Sequence, residues 1–265
     1  MSGATERFVV GDGAADVKVD VAWGDLSGPA AGETAFDSGG LWRRYRDGPD
    51  HVFLFTSPAL GSHPYKRARF DSGFTRGEIT LHAGYHDRDA PTRPLEYPLD
   101  EILVTNLLAL GRGIEIHACG VRDQDGRGYL LAGHSGAGKT TSARLWEAAG
   151  ALVLSDDRII LRVLDGRVWM YGTPWHGEAE LAAADRTELN RILVLAHGSE
   201  NGITRLAQPR VVAELFARSF VPFHDGEALG RSLDVLERVA REVPSAELRF
   251  VPDEKVVPFV REVAR

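Results

Sequence analysis

One segment constrains this chain more than any other feature: residues 133–140, which read Gly-His-Ser-Gly-Ala-Gly-Lys-Thr and match the pattern G-x-x-x-x-G-K-[ST] in full. Glycines in such a loop let backbone amides surround phosphate oxygens without a Cβ in the way. An apolar run at residues 129–132 precedes the loop, and a helical pattern of apolar residues follows it. This context predicts a strand, a phosphate-binding loop and a helix, and it disfavours a glycine-rich turn that binds nothing.

Two side chains of the motif have chemical roles in this prediction. The Lys139 ammonium reaches the β- and γ-phosphates of a nucleotide, and the Thr140 hydroxyl ligates Mg²⁺. The following helix directs the positive end of its dipole at the same anion. We therefore expect ATP and Mg²⁺ as the ligands. The predicted nucleotide-binding residues are consecutive in the chain: Gly133, His134, Ser135, Gly136, Ala137, Gly138, Lys139, Thr140 and Thr141.

Two adjacent acids, Asp156 and Asp157, follow the next predicted strand at residues 151–155. Asp156 comes only 17 residues after Lys139, which is too early for most motor ATPases. At the end of a strand beside a nucleotide, one carboxylate can hold the metal while the other takes a proton from an attacking hydroxyl. The alternative is an Asp-Asp turn or helix cap without a catalytic role.

Composition excludes several classes of protein. The chain has 38 acidic and 31 basic residues and a net charge of −7, which disfavours general binding to a phosphate backbone. The single cysteine, Cys119, cannot form an intramolecular disulfide, and its strand-like surroundings predict a small buried side chain. The opening residues show no signal-peptide pattern, and no stretch approaches ~18 consecutive apolar residues. We expect a soluble, cytoplasmic protein without nucleic-acid or membrane partners.

The pattern of apolar residues predicts a β-rich region over residues 1–98 and an α/β domain over residues 99–265. In the first region we expect a hairpin whose strands, at residues 8–10 and 17–23, are joined by a turn at 11–13. Further strands are predicted at 51–56, 67–71 and 77–82, and loops at 27–40 and 87–94. In the second region the predicted helices lie at 100–110, around 211–216 and 229–243, and at 253–265 with an interruption at Pro258. The predicted strands there lie at 114–121, 129–132, 151–155 and 248–251.

The segment from His117 to Arg158 resembles the catalytic core of HPr kinase/phosphorylase and its relatives. Those proteins carry a loop of the form G-x-S-G-x-G-K-[ST], whose fixed positions are all filled here, and an Asp-Asp pair at the spacing of Asp156 and Asp157. His117 matches their histidine on the preceding strand if the turn here is one residue longer. The resemblance implies the fold shared with phosphoenolpyruvate carboxykinases, in which a P-loop core lies in a mixed sheet.

The same resemblance implies roles for individual residues. Asp157 is the general base for an acceptor serine hydroxyl, His117 supports it, Asp156 is the second acid, and Thr140 is a magnesium ligand. Residues 171–178, Tyr-Gly-Thr-Pro-Trp-His-Gly-Glu, resemble the smaller HPr-kinase-like proteins such as lasso-peptide kinases. Glu178 in this segment is either a second magnesium carboxylate or an exposed loop acid.

These observations predict an ATP-dependent kinase that transfers a phosphoryl group to a hydroxyl, with Ser or Thr of a peptide or small protein as the favoured acceptor. The alternatives are a kinase of a small hydroxyl-bearing metabolite and a non-catalytic ATP-binding regulator; a homo-oligomer is also open. The β-rich region is a candidate for substrate docking. Its two basic clusters either bind an acidic peptide or are part of a solvated β-surface: Arg43, Arg44 and Arg46; Lys66, Arg67 and Arg69.

Overall fold

The fold is given by a computed structural model that describes residues 3–11, 13–28, 32–61, 63–85 and 93–263. The chain divides into two compact units. The smaller unit comprises residues 12–107 and 222–225, and the larger one comprises 1–11, 108–221 and 226–265. The sequence analysis predicted that the second domain begins at residue 99, whereas the two compact units of the structure divide after residue 107.

The smaller unit is built on a sheet of six strands. They are β1 (Lys18–Gly24), β2 (Glu33–Asp37), β3 (Trp42–Asp47), β4 (Asp50–Phe55), β5 (Lys66–Phe70) and β6 (Arg76–His82). Their order across the sheet is β1-β6-β5-β4-β3-β2. Strand β1 runs parallel to β6, and the other neighbours are antiparallel.

One face of this sheet forms a core with helix α2 (Leu99–Leu107). Alternate residues of β4, such as Phe53 and Phe55, point to this face, as the period of two in a strand requires. Leu99 and Leu103, four positions apart on α2, complete the core from the helix side. Acidic residues in the first turn of α2 favour the positive end of its dipole. After α2 the chain continues through a wider turn at Leu108–Arg112, where Gly111 takes a φ of 83°.

The basic clusters of the smaller unit are mostly paired or buried. Arg43 bonds Asp37, Arg67 lies near Glu78, and Arg69 bonds Asp47 and Asp50. Lys66 and Arg44 are buried. Most of these charges are therefore already paired or buried, and a docking role for the clusters stays a prediction.

The larger unit contains a nine-stranded mixed sheet. Its strands are β7 (Ile114–Arg122), β8 (Gly128–Ala132), β9 (Leu152–Ser155), β10 (Arg158–Leu164), β11 (Arg167–Tyr171), β12 (Arg186–His197), β13 (Gly202–Arg205), β14 (Ser219–Phe220) and β15 (Ser245–Phe250). The main order is β11-β10-β7-β8-β12-β15-β13, and β9 and β14 also pair with β7. Strands β8 and β15 run parallel to β12 on either side of it.

Helices cover both faces of this sheet. They are α3 (Lys139–Ala148), α4 (Gln208–Phe216), α5 (Gly226–Glu242) and α6 (Val256–Val263), and a short helix α1 (Gly3–Glu6) precedes the first sheet in the chain. Leu130 contributes to the core on the side of α4 and α5, while Leu131 contributes to the core on the side of α3 and α6. Burial on both faces explains why β8 and residues 192–195 of β12 are continuous apolar runs rather than alternating ones.

The α/β class, the mixed sheet and the β-rich N-terminal region are confirmed, and the strands β4 to β9 and β15 lie where periodicity predicts them. Cys119 is buried in β7 as expected. Helices α3, α4 and α5 also match their patterns. None of the helices in the described part of the chain combines the length and apolar composition that a membrane crossing requires.

Three predictions of local structure are wrong. Residues 8–10 form no strand, and β1 pairs with β6 instead of with a hairpin partner; Asp12, in the predicted turn, lies outside the described residues. The predicted loop at 27–40 contains β2, whose partner is β3. The predicted loop at 87–94 lies outside the described residues up to residue 92. Pro258 does not interrupt α6, because it falls in the first turn, where a missing N–H breaks no helical hydrogen bond.

A short segment from late in the chain, residues 222–225, belongs to the smaller unit. The His224 ring lies edge-on to Trp42, with ring centres 5.6 Å apart, and its Nε2 is buried without a hydrogen-bond partner among the described residues. The neighbouring guanidinium of Arg44 bonds Nδ1 of His51 at 2.7 Å and lies 3.8 Å from Asp225. Burial, reinforced by the charge of Arg44, lowers the pKa of His224 to about 4.

The pKa of His224 makes stability depend on pH. Because it is lower in the folded state than the unfolded value of about 6.5, the unfolded state binds more protons between pH 6.5 and 4, so stability falls as the pH drops through that window. We expect His224→Phe, which keeps an apolar ring, to remove on the order of 2 kcal/mol of this loss between pH 7 and pH 4. Urea denaturation over a pH series measures the effect. At pH 8 the difference in the free energy of unfolding between variant and wild type should have reached a plateau. If the free energy of unfolding of the variant falls with pH below 6.5 as steeply as that of the wild type, the assignment is contradicted.

Candidate active site

The loop between β8 and α3 is closed by the side chain of Lys139. Its Nζ donates to the carbonyl oxygens of Gly133 at 2.9 Å and His134 at 3.2 Å. Gly136 and Gly138 take φ values of 80° and 98°, which fold the backbone between these anchors. The ring of His197, at the end of β12, bonds the carbonyl oxygen of Gly136 at 2.9 Å. Residues 133–139 thus form a curled loop with a buried ammonium at its base.

Gly138 determines how the loop enters α3. A Cβ at this position would lie 2.7 Å from the ring of Phe250, so the loop approaches the core too closely for a side chain. No side chain caps the N terminus of α3. The first N–H groups of a helix have no partner within the helix, and here they are available to an external acceptor such as a phosphate oxygen. Thr140 and Thr141 are the second and third residues of this helix.

Lys139 is buried, and burial lowers the pKa of its ammonium. The charge of Asp157 raises that pKa and the charge of Arg218 lowers it further, so both side chains lie within electrostatic range of the loop. An ammonium has three donors, and two of them are used by Gly133 and His134. One donor remains for a ligand.

Strand β7 brings the acidic segment to the loop. Ala118 pairs with Ala132, the last residue before the loop, and its N–H donates to the Asp157 carbonyl at 2.9 Å. The preceding residue, His117, pairs with Arg158 of β10. Near this point β10 gives way to β9 along one side of β7, and β14 gives way to β8 along the other side. His117 and Asp157 lie where these pairings change.

Asp157 is held as a carboxylate by His117. The distance from His117 Nδ1 to Asp157 Oδ1 is 3.1 Å. This hydrogen bond is the main cause that lowers the pKa of Asp157, and the charges of Arg158 and Lys139 act in the same direction against the effect of burial. The group is therefore ionised at neutral pH and accepts hydrogen bonds. Such a carboxylate can orient a hydroxyl and receive its proton.

Asp156 has a different position from its neighbour. It is buried, and its two oxygens accept hydrogen bonds from the N–H groups of Gly177 and Ala179, both at 2.9 Å. These two donors flank Glu178, whose side chain is exposed. Asp156 therefore fixes the backbone of the segment that carries Glu178.

Arg158 is an ion-pair partner within the site. Its guanidinium lies 3.2 Å from Glu115 and 3.5 Å from Asp157, and it is stacked 4.3 Å from the centre of the Phe220 ring. Glu115 is completely buried. The arrangement holds Arg158 beside Asp157 and limits the directions in which either side chain can turn.

Two residues of this cluster were absent from the sequence prediction. Glu115 stands two positions before His117 on β7, and polar residues at alternate positions of an otherwise apolar strand were a signal for a shared face. Arg218 follows α4, its carbonyl accepts the His117 N–H at 2.7 Å, and its guanidinium bonds Glu214 at 2.7 Å. Its position depends on how the chain returns to β7, so no local pattern could reveal it.

Of the predicted site residues, the structure brings together Lys139, His117 and Asp157. Asp156 is beneath the segment at 177–179, and Glu178 is exposed on that segment. His134 and Ser135 are exposed on the loop, and Ala137 is buried within it. In the described ranges no three His, Cys, Asp or Glu side chains are arranged to hold a metal ion. A divalent ion here would need hydroxyl and phosphate oxygens among its ligands, which is the ligand set that Mg²⁺ accepts.

Comparison with known proteins gives similarity to solved structures but not to known sequences. No protein-family model matches the chain, and no curated protein sequence matches it. The solved structure of the HPr(Ser) kinase/phosphatase from Coxiella burnetii is similar over 48% of this chain and 98% of that chain, with 14% sequence identity and a TM-score of 0.30.

Two glycines of the loop offer a matched test of its shape. Gly136→Ala places a Cβ in open space at positive φ and should cost about 1 kcal/mol of stability. Gly138→Ala adds the overlap with Phe250 and should cost about 2 to 4 kcal/mol. Urea denaturation of both variants measures the difference. Equal losses would show that the approach of Gly138 to Phe250 is looser than described.

His117 should control the ionisation of Asp157. We expect His117→Ala to raise the pKa of Asp157, because the variant loses the largest of the effects that lower it. Since that pKa is depressed in the folded state, the pair stabilises the protein at neutral pH and loses this contribution as the pH falls through the folded-state pKa. Carbon-13 NMR titration of aspartate carboxyls, assigned with Asp157→Asn, measures the shift. The exposed His63→Ala is the control and should leave the pKa of Asp157 unchanged; the same result for His117→Ala would disprove the coupling.

Proposed function

We propose that this protein is an ATP-dependent phosphotransferase that transfers the γ-phosphoryl group to a hydroxyl. The observation that carries the proposal is the position of Asp157 beside the glycine loop: its carbonyl accepts the N–H of Ala118, which pairs with Ala132, the residue before the loop. A donor-rich loop for phosphate and a separate acceptor for a proton are the two elements that phosphoryl transfer requires from a protein.

In the proposed reaction, loop N–H groups, the first turn of α3 and Lys139 bind the β- and γ-phosphates. Asp157 accepts a hydrogen bond from the acceptor hydroxyl and thereby aligns its oxygen with the γ-phosphorus. The new O–P bond forms as the bond between the γ-phosphorus and the bridging oxygen breaks. Asp157 takes the hydroxyl proton, and ADP leaves with the bridging oxygen.

His117 has a positioning role in this proposal. Its bond to Oδ1 restricts the rotation of the Asp157 carboxylate and leaves Oδ2, which lies 3.5 Å from Arg158 Nε, on the other side. Asp156 positions the segment at 177–179 through two backbone hydrogen bonds. The two adjacent acids therefore have separate tasks, one towards the substrate and one towards the protein.

The residues present also suit Mg²⁺. The Thr140 hydroxyl and the exposed carboxylate of Glu178 are hard oxygen donors, and together with nucleotide phosphates they form the kind of ligand set that Mg²⁺ prefers. When bound there, the ion would neutralise charge on the phosphates. Asp156 is less suited, because both of its oxygens already accept backbone N–H groups.

The favoured acceptor is a serine or threonine of a peptide or small protein. This choice depends on the resemblance of the segment from His117 to Arg158 to HPr kinase/phosphorylase and on that of residues 171–178 to its smaller relatives. A metabolite hydroxyl would be served by the same chemistry. The distribution of label between peptide and low-mass fractions, after incubation with γ-³²P-ATP, separates the two acceptor classes.

Two substitutions test the roles of the charged groups. Lys139→Ala should abolish transfer and weaken ATP binding, because the variant loses the ammonium that faces the phosphates. Asp157→Asn should reduce kcat by about 10²- to 10⁴-fold, the usual contribution of a general base, and leave ATP affinity within about twofold. Isothermal titration calorimetry and initial rates measure both effects.

The control is Asp165→Asn, the same chemical change in an exposed turn, and it should retain wild-type kinetics. Asp157→Asn with a wild-type rate would contradict the base assignment. Tight ATP binding without transfer to peptide or metabolite would favour an ATP-binding regulator and would overturn the proposal.

A further inference from the structure

A cavity lies in the larger unit, at the ends of the parallel strands opposite to the glycine loop. Its volume is about 540 Å³, within the range of small-molecule sites. Residues 244–246, where β15 begins, line it. Strands β8, β12 and β15 run in the same direction, and the loop at 133–139 follows the end of β8. The cavity at the beginning of β15 is therefore separate from the candidate active site.

Three arginines line this cavity: Arg191, Arg205 and Arg241. Arg241 is paired with Glu242 at 3.1 Å, and Glu242 is the one acidic residue of the lining. The Nε of Arg191 is buried and has no hydrogen-bond partner in the ranges that the structure describes. A buried donor without a partner carries a desolvation cost that a bound acceptor would remove.

The chemistry of the lining indicates the kind of ligand. The lining contains three arginines and one glutamate, so its side chains carry a net charge of +2, in a protein whose net charge is −7. Gln208, the first residue of α4, adds the uncapped N terminus of that helix. Ile203 and Leu206, both partly exposed, supply apolar surface in the same cavity. A dianionic group with an apolar body satisfies both parts of the lining.

We propose that this cavity binds a small phosphomonoester that carries an apolar body. A phosphomonoester has a charge of about −1.5 to −2 at pH 7, which matches the net charge of +2 on the lining. Arginine presents its N–H groups as a planar fork suited to phosphate oxygens. The phosphate contacts Arg191 and Arg205, and the body lies against Ile203 and Leu206.

Phenyl phosphate is the probe, and the resonances of amides 205, 208 and 245 in ¹⁵N-labelled full-length protein are the readout. We expect saturable shifts of these amides with a Kd below about 1 mM, in titrations to about 10 mM. Arg191→Gln should weaken this Kd by about tenfold or more, because a charge-assisted hydrogen bond is lost. Arg205→Gln should weaken it too, which keeps the test valid if the first variant does not fold.

Arg210→Gln is the matched control, since Arg210 is an exposed arginine of α4 paired with Glu214 outside the cavity lining. It should leave the Kd within about twofold. Phenol, which lacks the charge, should give no saturable shift at these amides. Shifts confined to residues 133–141, equal binding by phenol, or unchanged binding in both cavity variants would each overturn the proposal. Such results would leave the proposed phosphotransferase function untouched.

Discussion

The main chain of β7 is the constraint on which the candidate site depends. Within two residues it fixes three other segments: the His117 N–H bonds the Arg218 carbonyl, the Ala118 N–H bonds the Asp157 carbonyl, and Ala118 pairs with the residue before the glycine loop. A shift of one residue in register would turn His117 to the other face of the sheet. The side-chain bond between His117 and Asp157 is therefore a consequence of backbone pairing in the middle of a buried sheet.

Burial then gives two chemically identical neighbours different properties. Asp156 faces the protein and accepts two backbone N–H groups, whereas Asp157 is partly exposed beside a histidine, an arginine and a lysine. Their positions follow from the end of β9, where the Ser155 hydroxyl accepts the N–H groups of Asp157 and Arg158 and turns the chain. A tight turn of this kind places successive side chains in different surroundings without any change of residue type.

Sequence patterns predicted the local elements better than their partners. The alternation in β1 and the apolar runs of β4 and β8 were sufficient to locate those strands, because period and burial are local properties of a strand. The parallel pairing of β1 with β6 was missed, since the choice of neighbour depends on contacts far apart in the chain. The glycine loop and the Asp pair could be recognised as sequence motifs. Arg218 and the lining of the cavity at the beginning of β15 could not be predicted, because several distant segments form them.

The contribution of residues 222–225 to the smaller unit has a consequence for the order in which the protein is made. The sheet that His224 covers is formed from residues before 83, but the ring that packs against Trp42 is synthesised some 140 residues later. On the ribosome this unit remains incomplete until most of the larger unit has left the exit tunnel. Separation of the two units by truncation between residues 107 and 108 would likewise leave Trp42 and Arg44 without their partners from the later segment.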